Sequence, residues 1–128
     1  MGLDLYFSLS VSLLTKLKET GMFYKKELSN YRQPLQGVTY KALTFGDNTL
    51  LSEFRLQKGY SIPIHRHPHE QTGYMVSGRM TFTLDGKEYE AESGDSWNIP
   101  GNVEHGVKVH EDSIVIEVFS PVREDYLP

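Results

Sequence analysis

From residue 38 to residue 120 the chain is a succession of short apolar runs, rich in β-branched and aromatic residues, each stopped by a turn signal. That punctuation favours strands over helices and constrains the fold more than any other feature. Val38 to Phe45 is one run, stopped by Gly46-Asp47-Asn48, and Thr49 to Leu56 is the next, stopped by Lys58-Gly59. Gly73 to Val76 and Arg79 to Leu84 flank Gly78. Asp85-Gly86 predicts a type I′ hairpin, because both central residues of that turn need positive φ. Lys87 to Ala91 returns, and Ser93-Gly94-Asp95 turns again. Trp97 to Ile99, Val107 to Val109 and Ser113 to Phe119 complete the series. Strands so short and so evenly spaced predict an all-β sandwich or closed barrel.

Residues 1–37 read differently. They form an N-terminal extension and a lead-in segment, and residues 38–128 form one β-barrel domain. The 128 residues are enough for one hydrophobic core. Phe7, Leu9, Val11 and Leu13 alternate with serines, as in a strand, whereas Leu3, Phe7, Leu14 and Leu17 fit a helical face ending before Gly21. Both patterns stand, and Met22 is a plausible start of its own. The lead-in carries charges, Pro34 and Gly37 and has no independent domain character.

Several function classes are excluded. The net charge is -4 and no Lys/Arg cluster is present beyond Lys16, Lys18, Lys25 and Lys26, which read as a solvated face, so no nucleic acid is expected. Without cysteine there is no disulfide framework, thiolate metal site or cysteine nucleophile. No apolar run reaches the roughly 18 residues of a membrane span. The stretch Leu3 to Leu14 lacks a basic lead and a small-residue cleavage site, so no signal peptide is read and a cytoplasmic location is expected.

The chemistry concentrates in His65-Arg66-His67-Pro68-His69-Glu70-Gln71. Residues two apart on a strand share a face, which brings His65 and His67 within reach of one ion. Gln71 offers a hard, neutral oxygen, and His105 follows the turn at Pro100-Gly101-Asn102. Three imidazoles and one oxygen suit a divalent first-row metal with an open position for water or substrate. The plainer alternative is a solvated histidine loop. His69 faces away from the pair. Glu70 reads as a partner for Arg66 or another cation, and His110 as a turn residue. Tyr74 is placed to line a cavity, and Trp97 reads as core.

Two spaced motifs give these residues a family resemblance. Gly59, five residues, His65-Arg66-His67, three residues, Gln71, six residues and Gly78 resemble the first cupin motif. Gly94, five residues, Pro100, four residues and His105 resemble the second, after a spacer of fifteen residues. The resemblance covers about residues 38–120 and implies a cupin, or jelly-roll, β-barrel holding one metal ion on His65, His67, Gln71 and His105. The ion could be Ni, Zn, Mn, Fe or Cu. Two positions depart from the pattern. Gln71 stands where Glu is usual, which leaves the ion its full charge and makes it a stronger Lewis acid toward an anion. Asn102 replaces a glycine but tolerates the left-handed conformation such a turn can need.

The segments HPHEQ (67–71), IPGNVEHGV (99–107) and VFSPVREDYLP (118–128) look like the small cupins of pectin-degradation operons. That family is associated with converting 4,5-unsaturated uronate monosaccharides to the linear keto form. The resemblance places Phe119 and Arg123 on tail residues linked to activity, and Glu117 where the family has Asp. It therefore implies a small anionic substrate, with Arg123 clamping a carboxylate and Glu117 moving a proton. The plainer roles are a salt bridge from Arg123 to Glu124 or Asp125, a core position for Phe119 and an exposed edge for Glu117. A cupin dioxygenase and a non-enzymatic sensor of small anions are the competing functions. Exposed strand edges need covering, so a homodimer is expected.

Overall fold

The computed structural model describes residues 22–128. The alternatives for residues 1–21 lie outside the described residues. Among the described residues eight strands follow one another: β1 (Arg32–Leu35), β2 (Val38–Phe45), β3 (Leu50–Leu56), β4 (Ser61–His65), β5 (Glu70–Leu84), β6 (Lys87–Glu92), β7 (Ser96–Ile99) and β8 (His105–Ser120), before a 3-10 turn at Glu124–Tyr126. Every pairing is antiparallel. Among the described residues no helix is long and apolar enough to cross a membrane.

The two long strands, β5 and β8, pair with each other along their whole length but change flanking partners midway. Gln71 to Tyr74 and Ser113 to Phe119 lie between β7 and β3, beyond which come β2 and β1. Arg79 to Leu84 and His105 to Lys108 lie between β6 and β4. One bent ribbon thus contributes to two halves of a jelly roll, and the all-β expectation holds. The side chains of β3 and β8 alternate, burying Leu50, Ser52, Phe54 and Leu56 against Ser113, Val115, Glu117 and Phe119.

The bend explains the first difference from the sequence reading. Gly78 does not separate two strands. It lies within β5 at φ +98°, where the register against β8 shifts repeatedly between Met75 and Met80. A Cβ there would stand 2.2 Å from Ser113 Oγ. Ser113 fills that space, accepting the Arg79 N–H at 3.1 Å and donating to the Glu111 carbonyl at 2.7 Å. The bulge keeps the chain paired while turning it. For the same reason Val107 to Val109 and Ser113 to Phe119 are parts of β8. His110 is a strand residue rather than a turn, and its Nε2 lies 2.6 Å from Thr81 Oγ1.

Two strands had no clear sequence signal. The side chains of β1 are all exposed and include Pro34, as an edge strand permits. The lead-in segment supplies this strand to β2. β4 carries Pro63 and ends on His65. The predicted hairpin is present, with Asp85 at φ +49° and Gly86 at +82°, and Asn102 adopts the left-handed conformation at +66°.

Candidate metal centre

β4 ends where β8 begins, and that juncture gathers the histidines. His65 and His105 are cross-strand partners with ring centroids 4.3 Å apart. His67 lies in the loop after β4, its ring 5.0 Å from His105. Asn102 N–H donates to the His67 carbonyl at 2.7 Å, so the turn before His105 is fastened to the loop that carries His67. One ring nitrogen from each of the three histidines lies within 4.8 Å of the others.

The ring tautomers follow from the hydrogen bonds. His65 Nδ1 faces the Pro63 carbonyl at 2.8 Å, His105 Nδ1 the Val103 carbonyl at 2.8 Å, and His67 Nδ1 the His69 carbonyl at 3.0 Å. A carbonyl only accepts, so the Nδ1 of His65 and of His105 carries the proton and their Nε2 atoms keep a lone pair, whereas His67 faces an accepting oxygen at both ring nitrogens. His105 Nε2 is buried without a hydrogen-bond partner. Burial pushes the His105 imidazole down to about 4. Burial, followed by the charge of Arg123, also lowers His67. Neutral imidazoles with free Nε2 atoms are the form that binds a metal.

Gln71 completes the donor set. It is buried on β5, on the face that carries Gly73 beside Glu117, with Oε1 only 3.0 Å from His67 Nε2, and as a hydrogen-bond donor it acts to lower the Glu117 carboxyl pKa. A carboxylate accepts the amide N–H, which leaves the Gln71 oxygen toward the histidines. A proton on His67 Nε2 or a metal ion held by both atoms satisfies a contact this short. Neighbouring ligands of an ion bound at about 2.1 Å stand about 3.0–3.4 Å apart, from octahedral to tetrahedral angles. The residues present fit a divalent ion.

Glu117 is buried on the central strand β8, only 3% exposed, and is not an edge residue. Trp97 Nε1 donates to both of its oxygens, at 3.1 and 3.3 Å. Burial pushes the carboxyl up to about 8, against the opposing hydrogen bonds from Gln71 and Trp97. A carboxyl poised there can give or take a proton near neutrality. Phe119 is fully buried and packs T-shaped with His67 and Tyr126, ring centroids 5.7 and 5.2 Å apart. The Arg123 guanidinium lies 5.1 Å from the Phe119 ring and 4.1 Å from that of Tyr126. It pairs with Asp125 through Nε at 3.2 Å and Nη2 at 2.8 Å, while Nη1 donates to Tyr126 Oη at 3.1 Å. The plain salt bridge therefore exists, with Asp125, and it fixes the arginine beside the site. His65, Gln71, His105, Glu117, Phe119 and Arg123 share one cavity of about 310 Å³, whose remaining wall includes Val38, Phe54, Met80 and Phe82.

Other residues fall elsewhere. Tyr74 is half exposed and does not line this cavity, because it lies on the opposite face of β5 from Gln71 and Gly73. His69 is not among the clustered ligand atoms, and Glu70 accepts from Asn98 rather than from a cation. Trp97 does pack on the core, 4.8 Å from Phe82, yet its N–H serves Glu117. That bond and the Tyr126 stack escaped the sequence reading. A buried indole N–H needs an acceptor, which was the available signal.

The model of the cupin domain family matches residues 52–120. The chain belongs to the cupin family. This cupin is 30% identical over 93 residues to the pectin degradation protein KdgF of Dickeya dadantii, covering 71% of this chain and 84% of that one. It is 38% identical over 53 residues to quercetin 2,3-dioxygenase of Bacillus subtilis, 41% of this chain but 16% of the other. Among solved structures, KdgF from Halomonas sp. superposes with a TM-score of 0.77 at 28% identity, covering 82% of this cupin and 97% of that chain.

Proposed function

We propose that this cupin is a metal-dependent enzyme that converts 4,5-unsaturated uronate monosaccharides to their linear keto form. The observation that carries the reading is one cavity lined by His65 and His105 of the three-histidine cluster, Gln71, a buried Glu117 and a tethered Arg123. The likeness to two proteins named KdgF, one a pectin degradation protein, supports the substrate class.

The reaction relocates one proton. The anomeric hydroxyl loses it, the bond from the anomeric carbon to the ring oxygen breaks, and the former alkene carbon gains a proton as the ring oxygen becomes a ketone. His65, His67, Gln71 and His105 would hold the ion, which supplies a Lewis acid for the developing oxyanion. Arg123, fixed by Asp125 and Tyr126, binds the substrate carboxylate. Glu117 carries the proton, since its raised pKa lets it act in both directions. Phe119 packs between His67 and Arg123 and keeps their spacing. Turnover of unsaturated galacturonate, followed by loss of the alkene absorbance, tests the reading in metal-loaded and chelated protein. Metal-dependent turnover, lost in Arg123→Ala, supports it. No turnover by metal-loaded protein removes the substrate assignment.

One observation favours a second reading. The cavity wall away from the histidines is apolar, with Val38, Phe54, Met80 and Phe82, which suits a substrate with an apolar body. Together with the likeness to quercetin 2,3-dioxygenase, this makes oxygen uptake with iron-loaded protein and a flavonol the matching assay. We also read the chain as a homodimer. The outer sheet face carries Tyr74 and Val76 beside Ile116 and Val118, an apolar stripe suited to a second copy. Light scattering that gives a monomer mass removes that reading.

A further inference from the structure

Gly73 has two cross-strand partners, Trp97 on β7 and Glu117 on β8. A Cβ on Gly73 would stand 2.1 Å from Trp97 Nε1 and 2.4 Å from Glu117 Oε2. The two side chains therefore meet over the one residue that leaves them room. Next to Glu117 on the other side is Ser52, also small, whose hydroxyl donates to the Glu117 carbonyl at 3.0 Å. Two residues before Gly73 on the same strand, and on the same face, stands Gln71.

We propose that Trp97 is a positioning residue of the metal centre: its indole N–H holds the Glu117 carboxyl on the face it shares with Gln71, where the carboxyl draws the Gln71 amide nitrogen and leaves Gln71 Oε1 aimed at the histidines. The proposal rests on the metal-centre reading above. The indole is a donor only, so it can satisfy no partner but an acceptor. It engages both carboxyl oxygens, and its ring is braced against Phe82 at 4.8 Å. The amide of Gln71 can turn end for end, and a metal site needs one orientation. A carboxyl held in place by Trp97 supplies that choice, and such supports of a ligand commonly change metal affinity by about 10–100-fold.

Zinc titrated calorimetrically into the chelator-stripped full chain tests this without any turnover. Trp97→Phe keeps the braced ring and loses the donor. It is expected to weaken zinc binding about tenfold in the native background and by less than twofold in a Gln71→Ala background. Equal zinc affinity in native protein and Trp97→Phe overturns the role of Trp97, as does the same loss in both backgrounds. Should Trp97→Phe fail to fold, the indole N–H signal of the single tryptophan decides by nuclear magnetic resonance. Glu117→Gln must move that signal, and an unmoved signal overturns the proposal. Zinc affinity that depends on Trp97 in a protein inert toward uronates upholds this proposal and removes only the substrate. A native protein that binds no zinc removes both.

Discussion

His65 and His105 are cross-strand partners held in the same way, each by an Nδ1–H bond of 2.8 Å to the carbonyl two residues before it. The backbone of β4 and of the loop before β8 thereby sets both tautomers and aims both Nε2 atoms before any ion arrives. A site prepared this way binds the folded chain and not the unfolded one. Metal at a hundredfold its Kd is expected to stabilise the fold by about 2.7 kcal/mol. Thermal melts with and without chelator should show the difference, and His105→Ala should abolish it. A melting temperature indifferent to nickel, zinc, manganese, iron and copper contradicts the expectation.

Glu117 gives metal-free protein a predictable dependence on pH. Its carboxyl is pushed up to about 8 by burial, from an ordinary value of 4.5. The folded state therefore binds the proton more tightly than the unfolded state does. The resulting stability is fully present below pH 4.5 and is lost as pH rises through 8. Glu117→Gln has no charge to bury and lacks this dependence. Urea melts of native protein and variant should diverge between those two pH values, with the variant gaining relative stability as pH rises. Parallel curves contradict burial as the cause.

Phe119 separates packing from positioning. It is 1% exposed, so Phe119→Ala should cost about 3–5 kcal/mol through the cavity it leaves. Phe119→Leu keeps most of the volume and should cost less. The leucine has no ring to face Arg123 or to stand edge-on to His67. Phe119→Leu is therefore expected to stay folded and lose at least tenfold in kcat/KM on a uronate. Full activity in folded Phe119→Leu reduces Phe119 to a core residue.

Most of the barrel was legible because its strands obey period two and its turns use residues that tolerate positive φ. β2, β3, β6 and β7 lie within one residue of their sequence-read bounds. β1 and β4 were not legible, since their mostly exposed side chains leave no alternation to read. The histidines stood out because each brings rare chemistry at a fixed spacing. The link from Trp97 through Glu117 to Gln71 did not, because its residues lie 20 and 46 positions apart and only the register across β7, β5 and β8 unites them. Tyr74 was misjudged for a related reason. Adjacent residues of a strand face opposite ways, and the placement of Gln71 inside sends Tyr74 outside.

The bend that makes one ribbon serve both halves of the sheet depends on Gly78 more than on any apolar residue. At φ +98° an L-residue is strained, and a methyl group there would stand 2.2 Å from Ser113 Oγ and 2.5 Å from the Asp112 carbonyl oxygen. The neighbouring backbone cannot yield without breaking the Arg79–Ser113 bond. Gly78→Ala is thus expected to destabilise the fold by about 3 kcal/mol or more, combining backbone strain with overpacking. Gly86→Ala supplies the comparison, because its φ of +82° is strained too but its Cβ would meet nothing within 4 Å. The excess loss in Gly78→Ala over Gly86→Ala, read from denaturant midpoints, measures the Ser113 contact. Equal losses would show that conformation alone, and not the seat of Ser113 in the bend, sets the requirement for glycine at residue 78.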